Sequence, residues 1–359
     1  MPVKRKEISF KGQNVYVGID THLKSWKATI MLEHSEFKTF SMNPDANELI
    51  NYLKRNFPQG NYYSAYEASF CGFSVHRALE KVGITNIVVN PADIPTTDKE
   101  RKQKEDKRDS RKIAKSLRNR DLTAIYIPSI EIEELRSLVR FRKTLVKEIS
   151  RNKSRVKSFL YCHGISLPEE FIYTSKYWSG KFTNWLKSIK MQTSHGTMTL
   201  NEILDTTLFL RDKLLKVTKE LKAVSEESVY SNLVRFLRTI PGIGLITSLT
   251  IITEFEDIKR FKNFDNLCSF VGLVPTTNSS GETEKVGRIT KRSNKPMRNC
   301  IIECAWVAIR NDPALSLAYS KLCARMKPNE AIIRIAKKLL NRIRYVLKNE
   351  TEYVYSVVV

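Results

Sequence analysis

The sequence predicts a mixed α/β domain at its amino-terminal end, then a long helical arm and a mostly helical carboxy-terminal domain. Three patterns indicate this fold class. Between Val15 and about Ile127, short β-like runs first follow one another and then alternate with amphipathic helical stretches. From Ser129 to about Leu160, apolar residues recur at helical spacing without proline or glycine. Helical patterns return from Leu237 to Leu347.

The amino-terminal domain begins with three strand-like runs. Val15 to Asp20 is apolar and ends in an acid, and the runs Lys27 to Leu32 and Phe37 to Met42 are joined by a polar turn. Strands with such short connections predict an antiparallel meander, and the alternating elements that follow predict a mixed sheet with helices on its faces. Those later elements are a helix opened by Asp45, a strand from Tyr62 to Tyr66, a helix from Val75 to Val82 and a strand from Asn86 to Val89.

A highly charged segment follows this pattern. Between Lys99 and Arg120 there are eleven Lys or Arg residues and four Asp or Glu residues. Because only Ile113, Ala114 and Leu117 form an apolar stripe at helical spacing, the segment predicts a helix with one buried edge and a basic exposed face.

The apolar spacing after Ser129 predicts a helix of about thirty residues, which is too long for most compact cores. We therefore expect a coiled-coil-like hairpin or arm, with a returning helix from Leu200 to Val229. The predicted domains are residues 1–128, 129–232 and 233–359. The stretch 164–199, between the two arm helices, contains Trp178 and Trp185 and predicts no element.

The chain is strongly basic, because 61 Lys and Arg residues stand against 38 Asp and Glu residues and give a net charge of +23. In a folded protein this excess predicts a polyanionic partner, most often nucleic acid, and argues against an enzyme of small neutral metabolites.

The six cysteines are scattered without metal-ligand spacing, so neither a zinc module nor a disulfide framework is indicated. No apolar run is long enough to span a bilayer, and we expect a soluble intracellular protein with no membrane partner.

Four carboxylates stand at positions where chemistry is expected. Asp20 ends the first strand, Glu67 follows the strand from Tyr62 to Tyr66, and Asp106 and Asp109 lie on one face of the basic helix. Strand ends within one sheet can lie side by side, so the acids can form one cluster. Such a cluster needs a cation, and hard oxygen ligands suit Mg²⁺ or Mn²⁺. Paired ions of this kind promote in-line displacement at a phosphodiester.

The alternative for these acids is structural. The strand-end pair would then be caps, and the helix acids would form salt bridges on a solvated face. Their basic neighbours are Lys107, Arg108 and Arg111.

The run from Ile240 to Gly244 lies between two apolar helical stretches, as in a helix-hairpin-helix. Gly242 and Gly244 would let the backbone approach a phosphate, and the following helix would offer free N–H groups to it. The alternative is a glycine-rich connector that touches no ligand.

A polar loop is predicted from Gly272 to Gly281, followed by the acid-free basic segment from Lys285 to Arg298. A serine in such a loop can bind phosphate, or attack it when a base or metal takes its proton. The sequence Ser279, Ser280, Gly281 is also an ordinary turn composition, which is the alternative.

An ordered set of motifs runs from about residue 13 to residue 310, namely Tyr16 to Asp20, Tyr66 to Ala68, Lys104 to Ala114, Leu135 to Leu145, Ile240 to Gly244, Phe261 to Lys262, Val271 to Pro275, Ser279 to Gly281 and Gly287 to Lys291. Together they resemble the DEDD transposases of bacterial insertion sequences, family one-ten, which act as bridge-RNA-guided recombinases. Each motif alone is weak, and the ordered set is specific.

The resemblance implies an RNase H-like (RuvC-like) domain at residues 1–128 and a dimerisation arm at 129–232. It also implies a transposase domain at 233–359, whose Ser-Gly motif supplies a nucleophile that forms a covalent phosphoserine link to DNA. Ser280 is the first choice for this nucleophile and Ser279 is the reserve. The residues that would hold Mg²⁺ (or Mn²⁺) are Asp20, Glu67, Asp106 and Asp109.

The partners implied are double-stranded donor and target DNA, a structured guide RNA, and further copies of the chain in a dimer or tetramer. The expected location is the bacterial cytoplasm, at the nucleoid. The residues expected to contact nucleic acid are Lys107, Arg108, Arg111, Arg142, Arg151, Lys153, Arg155, Gly242, Gly244, Lys285, Arg288, Lys291 and Arg292.

The sequence departs mildly from the family pattern at two places. Ser110 stands where alanine is more usual, and Ser293 with Asn294 replaces the commoner Gly-Asn.

Two other functions compete with the recombinase. One is a RuvC-like, metal-dependent DNA endonuclease that uses activated water and no covalent serine intermediate. The other is a basic nucleic-acid-binding scaffold whose acids are all salt-bridged.

Overall fold

The computed structural model describes residues 9–95, 106–171, 177–280 and 283–355, with the side chains of residues 106–108 and 277–286 outside the described part. The chain divides into two compact units, Met1–Ile127 and Pro128–Val359. The predicted boundary near residue 232 stays a prediction.

The first unit is built on a five-stranded sheet in the order β3-β2-β1-β4-β5. The first three strands pair antiparallel, and β1, β4 and β5 pair parallel. This confirms the predicted meander and mixed sheet. The strands are β1 Asn14–Thr21, β2 Trp26–Met31, β3 Glu36–Met42, β4 Asn61–Glu67 and β5 Thr85–Val89, and the helices are α1 Ala46–Asn56, α2 Ser74–Lys81 and α3 Asp106–Arg118.

The two faces of this sheet bury different residues because side chains alternate along a strand. Val15, Val17 and Ile19 of β1 pack into one core together with α1 and α2. Tyr16 belongs to the opposite face, where it packs with Ala114 of α3. The predicted apolar stripe of the basic helix therefore packs on the sheet, as expected. Helix α3 begins at Asp106, and the predicted part before it lies outside the described residues.

The second unit begins with a helical hairpin. Helix α4, Ile130–Cys162, starts where the Ser129 hydroxyl accepts a hydrogen bond from the Ile132 amide, and it confirms the predicted long helix. Helix α6, Ser194–Glu226, returns along it, because Leu200 packs near Leu160 at one end and Leu221 packs near Ile132 at the other. The prediction of a returning helix to Val229 was wrong at that end, because Glu227 adopts an extended conformation and starts α7.

A small core closes the far end of this hairpin. Helix α5, Gly180–Ser188, buries Phe182 and Leu186 against Phe171 and against the facing helices α4 and α6. The stretch 164–199, for which the sequence predicted no element, therefore contains α5 and the start of α6.

The rest of the second unit packs helices around one large core. The sequence assigned residues 272–281 to a loop and left 285–298 without an element. The structure corrects this, because Pro275–Ser280 and Thr283–Ile289 pair as an antiparallel hairpin and a helix starts at Lys295. The elements are α7 Ser228–Arg238, α8 Leu245–Phe255, α9 Phe264–Val271, β6 Pro275–Ser280, β7 Thr283–Ile289, α10 Lys295–Asn311, α11 Pro313–Cys323 and α12 Pro328–Asn349.

No helix within the described ranges is both long and apolar enough to cross a bilayer.

Candidate functional site

Two of the candidate carboxylates lie at or next to the carboxyl ends of neighbouring parallel strands. The register of β1 with β4 pairs Ile19 with Tyr66, so that Asp20 and Glu67 stand at the next position of each strand. Tyr16 of β1 and Tyr63 of β4 face α3. Asp20 follows Tyr16, and Glu67 follows Tyr63, by an even number of residues. Because side chains alternate along a strand, both acids belong to the α3 face of the sheet. The parallel pairing therefore places the two acids at one edge and on one face.

Helix α3 brings the other two acids to the same edge. Ser110 and Ala114 cover Gly18, while Leu117, further along the helix, lines a cleft with Asn14 at the opposite end of β1. The helix thus runs antiparallel to β1. Its first turn, from Asp106 to Asp109, lies at the end of β1 that carries Asp20.

Gly18 permits this approach. A Cβ atom at this position would lie 2.1 Å from the carbonyl oxygen of Ser110 and 2.3 Å from the amide nitrogen of Ala114. Both distances are far below van der Waals contact, and both atoms belong to the helix backbone. The glycine therefore fixes how closely the acid-bearing helix lies on the strand.

Ser110 anchors the helix laterally. Its buried hydroxyl lies 2.9 Å from the Thr29 hydroxyl, which lies 2.8 Å from that of Thr39. These hydrogen bonds connect α3 to β2 and β3. They also give the buried Ser110 hydroxyl a partner, without which its burial would be unfavourable. The departure at Ser110 from the family's usual alanine therefore has a partner in this sheet.

The salt-bridge alternative can be examined at Arg111. This residue pairs with Glu36 of β3, with 2.8 Å between Arg111 Nη2 and Glu36 Oε1. Asp109, by contrast, makes no ion pair with another side chain in the described ranges. Asp20 lies 3.1 Å from the Nε2 atom of His22, and the Asp20 side chain is 21% exposed. Solvent therefore reaches the acid at the end of β1.

The donor set at this edge fits a hard divalent cation, because carboxylate oxygens from two strand ends and one helix terminus are the ligands that Mg²⁺ and Mn²⁺ prefer. The side chain of Asp106 lies outside the described part. The described side chains, which include Asp20, Glu67 and Asp109, contain no group of three or more potential metal ligands.

The candidate serines lie at the end of a β-hairpin. Ser279 pairs with Glu284 and Ser280 pairs with Thr283, so both serines stand beside the connection from β6 to β7. Gly281 lies outside the described residues, as do the serine side chains. The backbone therefore presents Ser279 and Ser280 at a hairpin tip.

The base of this hairpin packs tightly. Gly272 has φ of +82°, and a Cβ there would lie 2.1 Å from the Cβ of Ser293. Asn294 follows as the cap of α10, where its side chain accepts from the Met297 amide. Its amide group also donates to Glu254 Oε2, at 2.6 Å.

Glu254 connects the hairpin base to the arm. It is 3% exposed, and Arg140 of α4 donates to both of its carboxylate oxygens, at 2.8 and 2.9 Å. Neither Glu254 nor Asn294 was predicted as important, because the residues that meet at this point are far apart in sequence.

We expect Glu254→Ala to lower the free energy of unfolding by about 2 to 3 kcal/mol, since it removes the partner of Arg140 from a buried site. This value is below that for a fully buried pair because the Arg140 side chain is 51% exposed. Denaturant unfolding followed by circular dichroism measures the change. Glu148→Ala, which removes the surface pair with Arg151, is the matched control and should cost about 0.5 kcal/mol or less. Equal losses in the two variants would contradict the role given to Glu254.

The two glycines of the predicted helix-hairpin-helix differ. A Cβ on Gly242, where φ is +86°, would lie 2.5 Å from the carbonyl oxygen of Cys304. Gly244 faces open space and precedes the first turn of α8, which has no side-chain cap. Gly242 therefore serves packing, and Gly244 is the better placed of the two to admit a phosphate.

Besides these glycines, the predicted nucleic-acid contacts lie on α3, on the arm, and in and after the serine hairpin. The side chains of Lys107, Arg108 and Lys285 lie outside the described part, while Arg288 in β7 and Lys291 and Arg292 after it are exposed. The arm residues all contact side chains of their own unit. Those contacts are Arg142 to Thr218 at 2.9 Å, Arg151 to Glu148 at 2.6 Å, Arg155 to Asn152 at 3.0 Å, and Lys153 over the Trp178 ring at 5.4 Å.

Comparison with known families gives two matches. Residues 17–163 match a transposase family model named for the DEDD motif of IS110 elements, and residues 234–320 match the model described as "Transposase IS116/IS110/IS902 family". The first match contains the strand-end acids and α3, and the second contains the serine hairpin.

Similar proteins carry the same kind of name. The chain is 31% identical to y4qE of Sinorhizobium fredii, named as a transposase, over 68% of this chain and 58% of that protein. It is 26% identical to the transposase for insertion sequence element IS1533 of Leptospira borgpetersenii, over 70% of this chain and 72% of the relative. It is also 26% identical to the transposase for insertion sequence element IS1111A of Coxiella burnetii, over 75% of this chain and 73% of the relative. The match to y4qE thus spans less than two thirds of that protein.

Both family matches, the ordered motifs and these relatives agree with one another. The chain belongs to the IS110/IS116/IS902 family of insertion-sequence transposases.

Proposed function

We propose that this chain is an RNA-guided DNA recombinase, which cuts and rejoins DNA strands through a serine–phosphodiester intermediate and requires Mg²⁺ or Mn²⁺. The observation that carries the proposal is the convergence of acids at one edge of the sheet. Asp20 and Glu67 lie at or next to the ends of adjacent parallel strands, and the close contact at Gly18 brings the first turn of α3 to the same edge. Carboxylates gathered at one edge of a sheet repel one another, and a bound divalent cation would offset that repulsion.

The carboxylates would hold the cation, with Asp20, Glu67, Asp106 and Asp109 as its ligands. When bound, the ion supplies positive charge at a phosphodiester undergoing in-line displacement. The protein's own contribution is rigidity. Two ligands are fixed by the β1–β4 register, and two by a helix that cannot shift along β1 without breaking the contact at Gly18.

Ser280 is the proposed nucleophile, with Ser279 as the reserve. The Oγ–P bond forms as the P–O bond to the leaving strand breaks, and the serine proton is taken up by solvent while the leaving oxygen gains one. Attack by the hydroxyl of the incoming strand then forms a new P–O bond as the Oγ–P bond breaks, and that hydroxyl loses its proton to solvent while the serine oxygen regains one. The hairpin supports this role because it presents both serines at its tip, next to a glycine.

Donor DNA, target DNA and a structured guide RNA are the proposed partners, and the working form is proposed to be a dimer or tetramer. The net charge of +23 supports polyanionic partners, and basic residues lie along α3, along α4 and after β7. The exposed side chains of Arg288, in β7, and of Lys291 and Arg292, just after it, support contact with such a partner beside the serine hairpin. RNA that copurifies with the protein should include a structured transcript encoded beside the gene.

The serine step is tested by trapping the protein–DNA adduct on denaturing gels. With Mg²⁺, DNA and copurified RNA, the wild-type protein should give a covalent adduct, and Ser280→Ala should abolish it. Ser279→Ala should retain the adduct if Ser280 is the nucleophile, and the reverse pattern would assign Ser279. A control outside the hairpin is Ser158→Ala, at an exposed position of α4.

The water-using endonuclease is the second candidate, because its acids all lie within the first unit. Strand cleavage that survives Ser279→Ala/Ser280→Ala and leaves no adduct would establish it and would contradict the serine mechanism.

A further inference from the structure

A cavity of about 370 Å³ lies at the far end of the arm, where α4 meets the segment before α5. Its walls include Lys153 and Lys157 from α4, together with Tyr177, Trp178 and Phe182. Neither the family matches nor the proposed reaction assigns a function to this cavity. Its lining combines aromatic rings with cations.

The cations converge on the aromatic rings. The Nζ atom of Lys153 lies 5.4 Å from the centre of the Trp178 ring, and that of Lys157 lies 6.0 Å from the centre of the Tyr177 ring. From α6, Arg211 donates to the Trp178 carbonyl oxygen at 3.1 Å. Three positive charges therefore surround two aromatic residues.

No carboxylate is among the described residues that line the cavity. Lys153 is half-buried, and burial together with nearby Arg211 lowers the pKa of its ammonium group. A cation in such surroundings is stabilised by an anion that enters from outside. The cavity is therefore suited to a negatively charged ligand.

The aromatic residues are held in place before any ligand arrives. Phe182 is buried and packs edge-on against Tyr177 and Trp178, with ring centres 5.4 and 5.8 Å apart. Trp178 adopts a left-handed backbone conformation, with φ of +61°, and the hydrogen bond from Arg211 fixes its carbonyl group. A preformed aromatic wall lowers the entropic cost of binding a flat ligand.

We propose that this cavity binds one unpaired nucleotide of a single-stranded nucleic acid, with the base against Trp178 and Tyr177 and a flanking phosphate at Lys153 and Lys157. Aromatic surfaces and cations together are the means by which proteins bind single strands. A base within a duplex is already stacked, so its face is not available to the cavity. This inference deepens the proposed function. It rests on that function only in taking nucleic acid as the partner.

The test uses the full chain, freed of copurified RNA, and single-stranded oligonucleotides of about ten residues. Oligouridylate and oligothymidylate are tested in parallel, so that binding of RNA and of DNA can be compared. Lys153→Gln/Lys157→Gln should weaken binding of at least one of them about tenfold and lower the salt dependence of its affinity. Binding of a duplex of equal length should change much less.

The matched control carries the same change of charge elsewhere on the arm. Lys147→Gln/Lys219→Gln alters two exposed lysines that do not line the cavity, and it should retain most single-strand affinity. Base stacking should also quench tryptophan fluorescence, and Trp178→Phe should remove most of that quenching while keeping an aromatic wall. This signal does not depend on the charge of the lysines.

Equal affinities for single strands in the two lysine variants, with no fluorescence change assignable to Trp178, would overturn the inference. Preferential loss of duplex binding would overturn it as well. Because these measurements involve no strand cleavage, their failure is distinct from failure of the serine adduct assay.

Discussion

Gly18→Ala should reduce strand cleavage by about a hundredfold or more, although no catalytic group is altered. The added methyl group would lie 2.1 Å from a backbone atom of α3, so the helix must move away from β1. Displacement of a catalytic group by about 1 Å can cost a hundredfold in rate. The overpacking should also lower the free energy of unfolding by about 1 to 3 kcal/mol. Cleavage rate and denaturant unfolding measure the two effects.

Gly180→Ala is a suitable control for the added methyl group, because a Cβ at Gly180 meets no atom within 4 Å. It should leave the free energy of unfolding almost unchanged. If Gly18→Ala cleaves DNA at the wild-type rate, the close approach of α3 to β1 is not required for activity, and the account of the site is wrong.

Asp20→Asn should reduce strand cleavage by about a thousandfold or more, which corresponds to about 4 kcal/mol of transition-state stabilisation. The amide keeps the shape of the side chain but removes the charge that a divalent cation requires. Since Asp20 stands near the end of β1 and reaches solvent, the fold and nucleic-acid binding should persist. Cleavage assays in Mg²⁺, alongside a binding assay in the same buffer, measure both properties.

Asp121→Asn is the control, because it removes an exposed aspartate of the same unit. It should cleave at the wild-type rate. Full cleavage activity in Asp20→Asn would instead support the structural interpretation of this acid as a strand-end cap.

The sequence was sufficient to predict the first sheet because its strands are apolar and its turns short. The acid near the end of β1, the cap at Asp45 and the stripe through Ile113 and Ala114 all follow from local patterns. The same reasoning predicted that Asp20 and Glu67 stand at strand ends of one sheet, where such acids can lie side by side. What it could not supply was the direction of α3 across β1, because that depends on the contact of Gly18 with residues about ninety positions away.

Other features escaped prediction for different physical reasons. Strands β6 and β7 are rich in polar residues and resemble a turn in composition, so only their pairing with each other reveals them. In the sequence, nothing distinguishes Glu254 from other helical acids. Its importance follows from its hydrogen bonds with Arg140 and Asn294. The arm-tip cavity depends on aromatic residues whose spacing follows no helical period. For Glu254 and for the cavity, the deciding contact is between segments distant in sequence.

The most direct test of the central claim, that the acids at the edge of the sheet form one divalent-metal site, is calorimetric titration of the protein with Mn²⁺. The account predicts that the wild-type protein binds Mn²⁺ in competition with Mg²⁺ and that Asp20→Asn and Glu67→Gln each weaken this binding at least about tenfold. Asp121→Asn should bind like the wild type. Unchanged Mn²⁺ affinity in both Asp20→Asn and Glu67→Gln would contradict the claim.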